Sequence, residues 1–473
     1  DVNGGAGGDQ FNLDANQSGQ FNGGDGGDTF TLADGVVLSF PGAAIAGGAG
    51  NDTLNLAAHT NATDSELDTN LTGVDAVNGE GFAGTVQVGG GGIPTAVTNF
   101  TGIDTLVGSA DGTVTDTLTG RGVDSTWTQT SYNDGTSTLA FSGISTAIGS
   151  AVGTQTLQGG AGIDTFTVDG AGSVTLGGQD FDGMDTLSGQ GNNDIFNLIS
   201  DFGGDVNGDG GNDIFNLNVA TSSQTGSIDG GADADTFNLR AGITVGGLSG
   251  GSGGNDNDTL VLFDAGGNPN DVNNWTVTGA QDSGTVDGQG LGAVSFSDME
   301  NLTGNDRVDN FTFDAGLNGT ASGGFGDDVF TINVGGSADG INGGVGDDTV
   351  SYADPTRVVG VTVAYDTFTS IESLTGSLLS DTLTGTDGED TFTLTAAGEG
   401  SATLTAGGGE VVTFTSFENI SGQDGIDTFE LDGDFGGIVS GDGGNDEFNL
   451  NVNQSGQFNG GDGGDTFTLA DGV

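Results

Sequence analysis

The feature that most restricts the fold is a nine-residue motif, G-G-x-G-x-D-x-apolar-x, that recurs along the chain. Clear copies begin at residues 4, 23, 47, 159, 323 and 343, and the first reads GGAGGDQFN. Looser copies begin at residues 208, 230, 253, 385, 422 and 441. We call the Asp in the sixth position of the motif the anchor aspartate. A chain built from one repeated phrase is predicted to fold as a stack of similar units.

The residues after each anchor predict a short strand. Sixteen anchors occur when the weaker copies are included, and the residue two places on is Phe, Leu or Val in every case. The residue four places on is apolar in all but one, where Gly385 stands. Alternation of apolar and polar residues is typical of a strand with one face in a core. The glycines before the anchor supply the left-handed backbone of a tight turn.

The spacing of the anchors predicts the architecture. The interval from Asp9 to Asp28 recurs between Asp427 and Asp446, and the interval from Asp213 to Asp235 is slightly longer. Each interval accommodates a turn, a strand, a second turn and a return strand. We therefore predict an all-β fold, a parallel β-solenoid (β-helix) with about 19–24 residues per coil and some larger coils. Stacking at roughly 4.8 Å would place each Phe above the last.

A second motif marks where this spacing lapses. It reads F-x-x-apolar-acid-x-apolar-x-G and begins at residues 181, 296, 368 and 414, each Phe lying thirteen residues before an anchor. A copy with three extra residues begins at residue 100. We interpret the irregular stretches as larger coils of the same solenoid, and a separate inserted sandwich is the alternative.

The predicted domains follow from these patterns. Coils with Gly-Asp turns occupy 1–56, 151–264, 304–394 and 421–473, the last repeating 1–36; wider or irregular coils occupy 57–150, 265–303 and 395–420.

Charge excludes several classes of function. The chain has 67 acidic residues, only four basic ones, all Arg, and a net charge of −63. Such a chain repels nucleic acid and anionic membranes. No apolar run approaches the length that spans a bilayer, so we expect no direct membrane insertion. With no Cys, neither disulfides nor thiolate metal sites are available.

The motif GGxGxDxUx, as at residues 4–12 and 23–31, resembles the RTX nonapeptide of secreted calcium-binding proteins. Over longer stretches, including residues 341–394, the sequence pattern is similar to that of giant strand-repeat surface proteins and filamentous adhesins of Gram-negative bacteria. The resemblance implies calcium bound between neighbouring turns. RTX copies usually follow each other every nine residues, whereas the copies here recur at about twice that interval.

The residues also favour Ca²⁺ without the resemblance. Ca²⁺ takes six to eight oxygen ligands, and stacked glycine turns offer carbonyl oxygens and carboxylates. Zinc is disfavoured because Cys is absent and His59 is the single His. The alternative is that Gly-Asp turns are only good turn formers. The predicted metal ligands are Asp9, Asp28, Asp52, Asp164, Asp194, Asp213, Asp235, Asp258, Asp309, Asp328, Asp348, Asp390, Asp427, Asp446 and Asp465.

Three functions are compatible with these patterns. The first is a structural repeat unit of an extracellular or cell-surface filament or adhesin stalk, stabilised by Ca²⁺. The others are an RTX-type secretion and folding module attached to another domain, and a β-helical polysaccharide-active enzyme. Lack of Lys and of a cluster of basic residues disfavours the enzyme, so we predict no enzymatic activity.

A long repeat favours the filament. Residues 16–36 and 453–473 are identical, so the chain restarts its opening phrase at residue 453. We therefore expect further copies of the same repeat, stacked end to end, as partners, and other cells or surfaces bound through regions outside this segment.

Overall fold

Strands dominate the protein, and most of their pairings are parallel. The computed structural model describes residues 1–473 except 61–65, 76–80, 91–92, 171, 219–222, 241–242, 252–255, 264–270, 289–291 and 404–410. Within the described ranges one short 3₁₀ helix, Tyr365–Thr367, is the only helical element. No helix in those ranges is long and apolar enough to cross a membrane. The chain divides into two units, residues 1–216 with 222–229, and residues 217–221 with 230–473.

The strand that follows each turn pairs in parallel with its counterpart one repeat later. Phe11 pairs with Phe30, and Phe30 with Leu54, at the same intervals as the anchors before them. In the first unit these strands are Gln10–Leu13, Thr29–Leu32, Thr53–Asn55, Thr105–Val107, Gln155–Gln158, Thr165–Gly170, Thr186–Ser188, Ile195–Leu198 and Asp205–Asn207; Ile214–Leu217 lies across the division. In the second they are Thr236–Arg240, Thr259–Phe263, Asn301–Thr303, Val308–Phe313, Val329–Ile332, Thr349–Ser351, Ser373–Thr375, Thr382–Thr384, Thr391–Ala396, Asn419–Ser421, Thr428–Leu431, Glu447–Leu450 and Thr466–Leu469.

The strands that lead into the turns pair in the same way. Phe21 pairs with Ile45, and Ile341 with Phe368. In the first unit the remaining strands are Val2–Ala6, Gln17–Ser18, Phe21–Asp25, Leu38–Ser39, Ile45–Ala49, Thr115–Thr119 and Thr146–Ile148. In the second they are Thr244–Gly251, Gly316–Phe325, Ser337–Val345, Thr362–Ala364, Phe368–Thr369, Asp424–Gly425, Ile438–Ser440, Gly443–Gly444, Gln457–Asn459 and Asp462–Gly463; Ser223–Gly231 lies across the division.

Antiparallel hairpins occupy most of the stretches where the regular spacing lapses, whereas residues 351–367 hold the strand Thr362–Ala364, which pairs in parallel, and the 3₁₀ helix. Phe82–Gly90 pairs antiparallel with both Glu66–Val74 and Ile93–Ile103, and Phe100 then pairs in parallel with Ile45. The other hairpin strands are Ser125–Trp127, Ser131–Asn133 and Thr138–Ser142; Ser173–Leu176 and Gln179–Asp182; Val272–Val277, Gly284–Gly288 and Val294–Ser297; Glu399–Thr403 and Val411–Thr415. The larger coils expected there are thus parallel repeats with a hairpin inserted, and the expected boundaries include residues outside the described ranges.

The core includes the apolar residues two and four places after most anchors, together with apolar residues of the strands that lead into the turns, such as Ile45. Phe30 and Leu32 are fully buried, as are Phe196 and Phe215. Because successive strands pair in register, these rings stack face to face. Phe196 and Phe215 have ring centroids 4.9 Å apart with an interplanar angle of 4°. Stacked rings fix the register, because a slip of one residue would move them out of the core.

Candidate metal-binding turns

The anchor aspartates point inward and connect each repeat to the next. Asp28 Oδ1 accepts a 2.7 Å hydrogen bond from the backbone N–H of Asp9, and Asp348 Oδ1 accepts one of 2.7 Å from Asp328. Corresponding bonds of 2.6–3.1 Å end on Asp52, Asp194, Asp213, Asp258, Asp328, Asp427, Asp446 and Asp465. We call each run of such bonds an aspartate ladder. A carboxylate acceptor strengthens each bond.

The second carboxylate oxygen explains the first glycine of the motif. A Cβ added at Gly23 would lie 2.0 Å from Asp28 Oδ2 and 2.5 Å from the carbonyl oxygen of Gly47. A Cβ at Gly323 would likewise lie 2.0 Å from Asp328 Oδ2. The carboxylate therefore occupies the space that a side chain would fill, and only glycine fits five residues before the anchor.

Many of these second oxygens have no donor. Eight are buried and have no hydrogen-bond partner among the residues that the structure describes: Oδ2 of Asp9, Asp28, Asp194, Asp258, Asp328, Asp348, Asp427 and Asp446. A buried carboxylate oxygen without a partner is costly, because it has lost its water. The site therefore requires either a proton or a cation.

Burial raises the pKa of these carboxyl groups. The pKa of Asp328 is about 8, that of Asp258 and Asp427 about 7, and that of Asp194 and Asp348 about 6. Desolvation is the largest cause in each case, and neighbouring carboxylates add to it, such as Asp309 and Asp348 around Asp328. The ladders thus concentrate negative charge that the protein's own groups do not balance.

The backbone of the turn separates two kinds of anchor. In the first kind the residues four and two places before the anchor both have positive φ, as at Gly24 (106°) and Gly26 (124°) before Asp28. The same pair precedes Asp9, Asp194, Asp328, Asp348, Asp427 and Asp446. In the turn of Asp194 the N–H of the earlier residue, Gln190, donates to Asp209 Oδ2 in the next turn at 3.1 Å and not to its own anchor.

In the second kind of turn the anchor oxygen is already satisfied. The N–H four residues earlier donates to Oδ2 of Asp164, Asp309, Asp381 and Asp390, over 2.5, 3.1, 2.5 and 2.6 Å. None of these four donor residues has positive φ. These carboxylates cap their own turns, as Asp commonly does, and need no cation for that oxygen.

Asp309 accepts three hydrogen bonds that satisfy both of its oxygens. Its Oδ1 accepts hydrogen bonds from Trp275 Nε1 at 2.7 Å and from Asn273 Nδ2 at 2.9 Å, besides the bond from Asn305 to Oδ2. Trp275 lies in the inserted hairpin strand that pairs in parallel with the strand after Asp309. The hairpin thus supplies donors to an anchor that starts a new ladder.

Acids of the second motif take the anchor position, four of them after an inserted hairpin and Glu372 after a repeat that has no antiparallel pair among the described residues. We call Asp104, Asp185, Glu300, Glu372 and Glu418 the second-motif acids. Their carboxylates accept bonds of 2.7–3.0 Å from the backbone N–H of Asp52, Gln155, Asp258, Asp348 and Asp381. The residue two places on pairs in register with its counterpart, as Leu302 does with Leu260.

In the turn before a second-motif acid, one residue has positive φ and the residue next to the acid has a buried apolar side chain. Positive φ occurs at Ser370, two residues before Glu372, and Ile371 between them is buried. This turn lacks the paired glycines, so the glycine-turn ladder ends there.

The predicted ligands therefore fall into distinct groups. Eight have a buried oxygen without a donor among the described residues, whereas Asp164, Asp309 and Asp390 are satisfied by their own turns. Asp52, Asp213 and Asp235 are buried members of the ladders, and Asp465 accepts the bond from Asp446. Sequence reasoning did not identify the second-motif acids as ladder members. The signal was present, because the triplets DTL, ENL and ESL repeat the acid-polar-apolar order of the anchors.

Comparison with known proteins does not assign this chain to a family. A scan against protein-family models and a search of curated proteins both found no match.

Proposed function

We propose that this chain is a structural repeat unit, a parallel β-solenoid of about 19–24 residues per coil, stabilised by Ca²⁺. The observation that carries the proposal is the row of eight buried Oδ2 atoms that have no donor among the described residues. A chain with a net charge of −63 that places carboxylates in ladders requires cations to fold stably at neutral pH.

The chemistry of the turns fits Ca²⁺. Carboxylate and carbonyl oxygens are hard ligands, which suit Ca²⁺ and not the softer metals. The carbonyl of Gly5 lies 2.1 Å from the point where a Cβ on Gly24 would stand, so carbonyl oxygens crowd the same turns. Because glycine has no side chain, neighbouring turns approach this closely, and their oxygens come near enough to share an ion.

Turn type decides which anchors would bind. We assign Ca²⁺ to turns with paired positive φ, for example those of Asp28, Asp328, Asp427 and Asp446. Asp164, Asp309 and Asp390, which their own turns satisfy, serve as structural caps. The proposed calcium ligands are thus only some of the aspartates that the motif predicts.

Binding to the folded state alone would couple folding to calcium. The test is far-UV circular dichroism of the full chain in excess chelator and in millimolar CaCl₂, with MgCl₂ as the matched control. We expect the β signal and the unfolding midpoint to rise with CaCl₂ and much less with MgCl₂. Equal unfolding midpoints in chelator and in CaCl₂, measured after heating to release bound ions, would show that calcium does not stabilise the folded state.

The filament is the second part of the proposal. The phrase at 16–36 recurs at 453–473, which supports a unit repeated along a longer object. An extracellular or cell-surface location suits calcium-linked folding, because free calcium is high outside cells. Electron microscopy of the native material, with gold-labelled antibody against this chain, would show label at regular intervals along a thin fibre. Label on isolated particles would favour a single secretion module.

A further inference from the structure

A cluster of three carboxylates lies at one end of a ladder in the second unit. Asp256, Asp258 and Glu300 each offer an oxygen, and these three oxygens lie within 4.8 Å of one another. Asp258 is an anchor and Glu300 is a second-motif acid, whereas Asp256 belongs to neither set. Among the described residues this is the one group of three acids arranged in this way.

Two buried oxygens in the cluster have no donor. Asp258 is 0% exposed, and its Oδ2 and that of Asp256 both lack a hydrogen-bond partner among the described residues. Asp258 Oδ1 is occupied by the N–H of Asp235, and Glu300 Oε2 by the N–H of Asp258. These two bonds fix the orientation of the Asp258 and Glu300 carboxylates, and Asp258 keeps a buried oxygen to which no described residue donates.

At Gly250 two oxygens approach the position that a side chain would occupy. A Cβ added at Gly250 would lie 2.3 Å from Asp258 Oδ2 and 1.8 Å from the carbonyl oxygen of Asp298. The two oxygens thus face the same point, which no side chain fills. Asp298 also adds its negative charge to the environment of Asp258, alongside Glu300 and Asp256.

The third carboxylate comes with a longer sequence interval between the glycine and the anchor. In the regular turns the glycine against the anchor oxygen lies five residues earlier, as Gly343 does before Asp348. Here Gly250 lies eight residues before Asp258. Asp256 lies two residues before the anchor, where the turn of Asp348 has Gly346 with a φ of 158°.

We infer that Asp256, Asp258 and Glu300 form a distinct divalent-cation site that ends this ladder and binds more tightly than the regular turns. Three carboxylates on one ion favour Ca²⁺, since ligand charge raises the affinity of oxygen sites. The choice of ion rests on the proposed function, whereas the location of the site rests on the cluster alone.

The test uses isosteric variants of the full chain. D256N removes one charge from the cluster. Its matched control is D233N, which changes the exposed Asp at the same position of the preceding turn. E300Q removes a second ligand, and its control is E372Q, where Glu372 accepts the corresponding bond from Asp348 at 2.7 Å without a third acid.

Calcium-loaded protein is dialysed against a series of calcium buffers, and retained calcium per chain is counted by atomic emission. The wild type should retain its last ion at the lowest free calcium. D256N and E300Q should lose that ion at about tenfold higher free calcium or more, since even indirect metal contacts change affinity by that factor. D233N and E372Q should retain it as the wild type does. Dichroism at saturating calcium shows whether each variant is folded.

The outcomes separate the two proposals. If folded D256N retains calcium as the wild type does, the three-carboxylate site is wrong, whatever the ladders bind. If the wild type holds a single ion that D256N loses, the site stands and calcium in the regular turns is wrong. A wild type without calcium at any concentration would overturn both.

Discussion

The indole N–H of Trp275 donates a 2.7 Å hydrogen bond to Oδ1 of Asp309, a buried carboxylate in the following repeat. The other Trp of the chain has the same relation to an anchor position, because Trp127 Nε1 lies 3.4 Å from Gln155 Oε1. Each Trp lies in an inserted hairpin and faces the side chain that begins the following strand. The hairpins therefore satisfy polar groups, besides filling space.

Removing the indole donor should destabilise the repeat. We expect W275F to lower the free energy of unfolding by about 1–3 kcal/mol, because Asp309 loses a donor in a buried site. W127F is the control, since its 3.4 Å contact is long and should contribute less. Urea unfolding in CaCl₂ measures both. A W127F effect as large as that of W275F would show that ring packing dominates.

Neighbouring anchors on one ladder should differ in calcium binding. Asp328 has a buried oxygen without a donor among the described residues, whereas both oxygens of Asp309 are satisfied. We therefore expect D328N to reduce the calcium bound per chain by at least one ion and D309N to leave the count unchanged. Atomic emission after dialysis gives the counts. Equal losses would mean that turn type does not select the sites.

The first glycine of the motif should be irreplaceable. A Cβ at Gly23 would meet Asp28 Oδ2 and the backbone of the next repeat, so we expect G23A to cost more than about 2 kcal/mol. Gly162 has no atom within 4 Å of its added Cβ and no positive φ, so G162A should change stability by less than about 0.5 kcal/mol. Thermal unfolding in CaCl₂ compares them. If G23A lowers stability only slightly, the Asp28 carboxylate can move to make room for the added methyl group.

The metal-free protein should be more stable in acid. The raised pKa values of Asp328, about 8, and of Asp258 and Asp427, about 7, mean that the folded state binds more protons than the unfolded state. Stability is then greatest below the ordinary pKa near 4 and decreases as pH rises toward 8. Urea midpoints in chelator from pH 4 to 8 test this.

Calcium should reverse that dependence. Ca²⁺ competes with protons for the same oxygens, so its stabilising effect should increase from pH 5 to pH 8. D328N should flatten the upper part of the metal-free profile, because its neutral amide cannot ionise. A metal-free midpoint that increases with pH would contradict the assignment of these groups as strained carboxylates.

Much of the strand pattern was predictable from sequence. The stack of Phe196 on Phe215 follows from their equal distance from an anchor, because register fixes both rings. Division of the anchors into two kinds was not predictable, since it depends on whether the N–H of Gly160 or Gln190 faces inward. The hydrogen bond from Trp275 to Asp309 was also not predictable, because the sequence does not give the length of the hairpin that separates the two residues.

The direction of the backbone hydrogen bonds has a mechanical consequence. Gln10–Leu13 pairs in parallel with Thr29–Leu32, and the hydrogen bonds between them run across the strands, in the direction in which repeats follow one another. A pulling force along that direction loads one strand pair at a time. Each pair that separates frees a loop of 19 residues, which extends by about 60 Å at roughly 3.4 Å per residue. Under tension, we expect such a unit to lengthen in steps of about 60 Å, one repeat at a time.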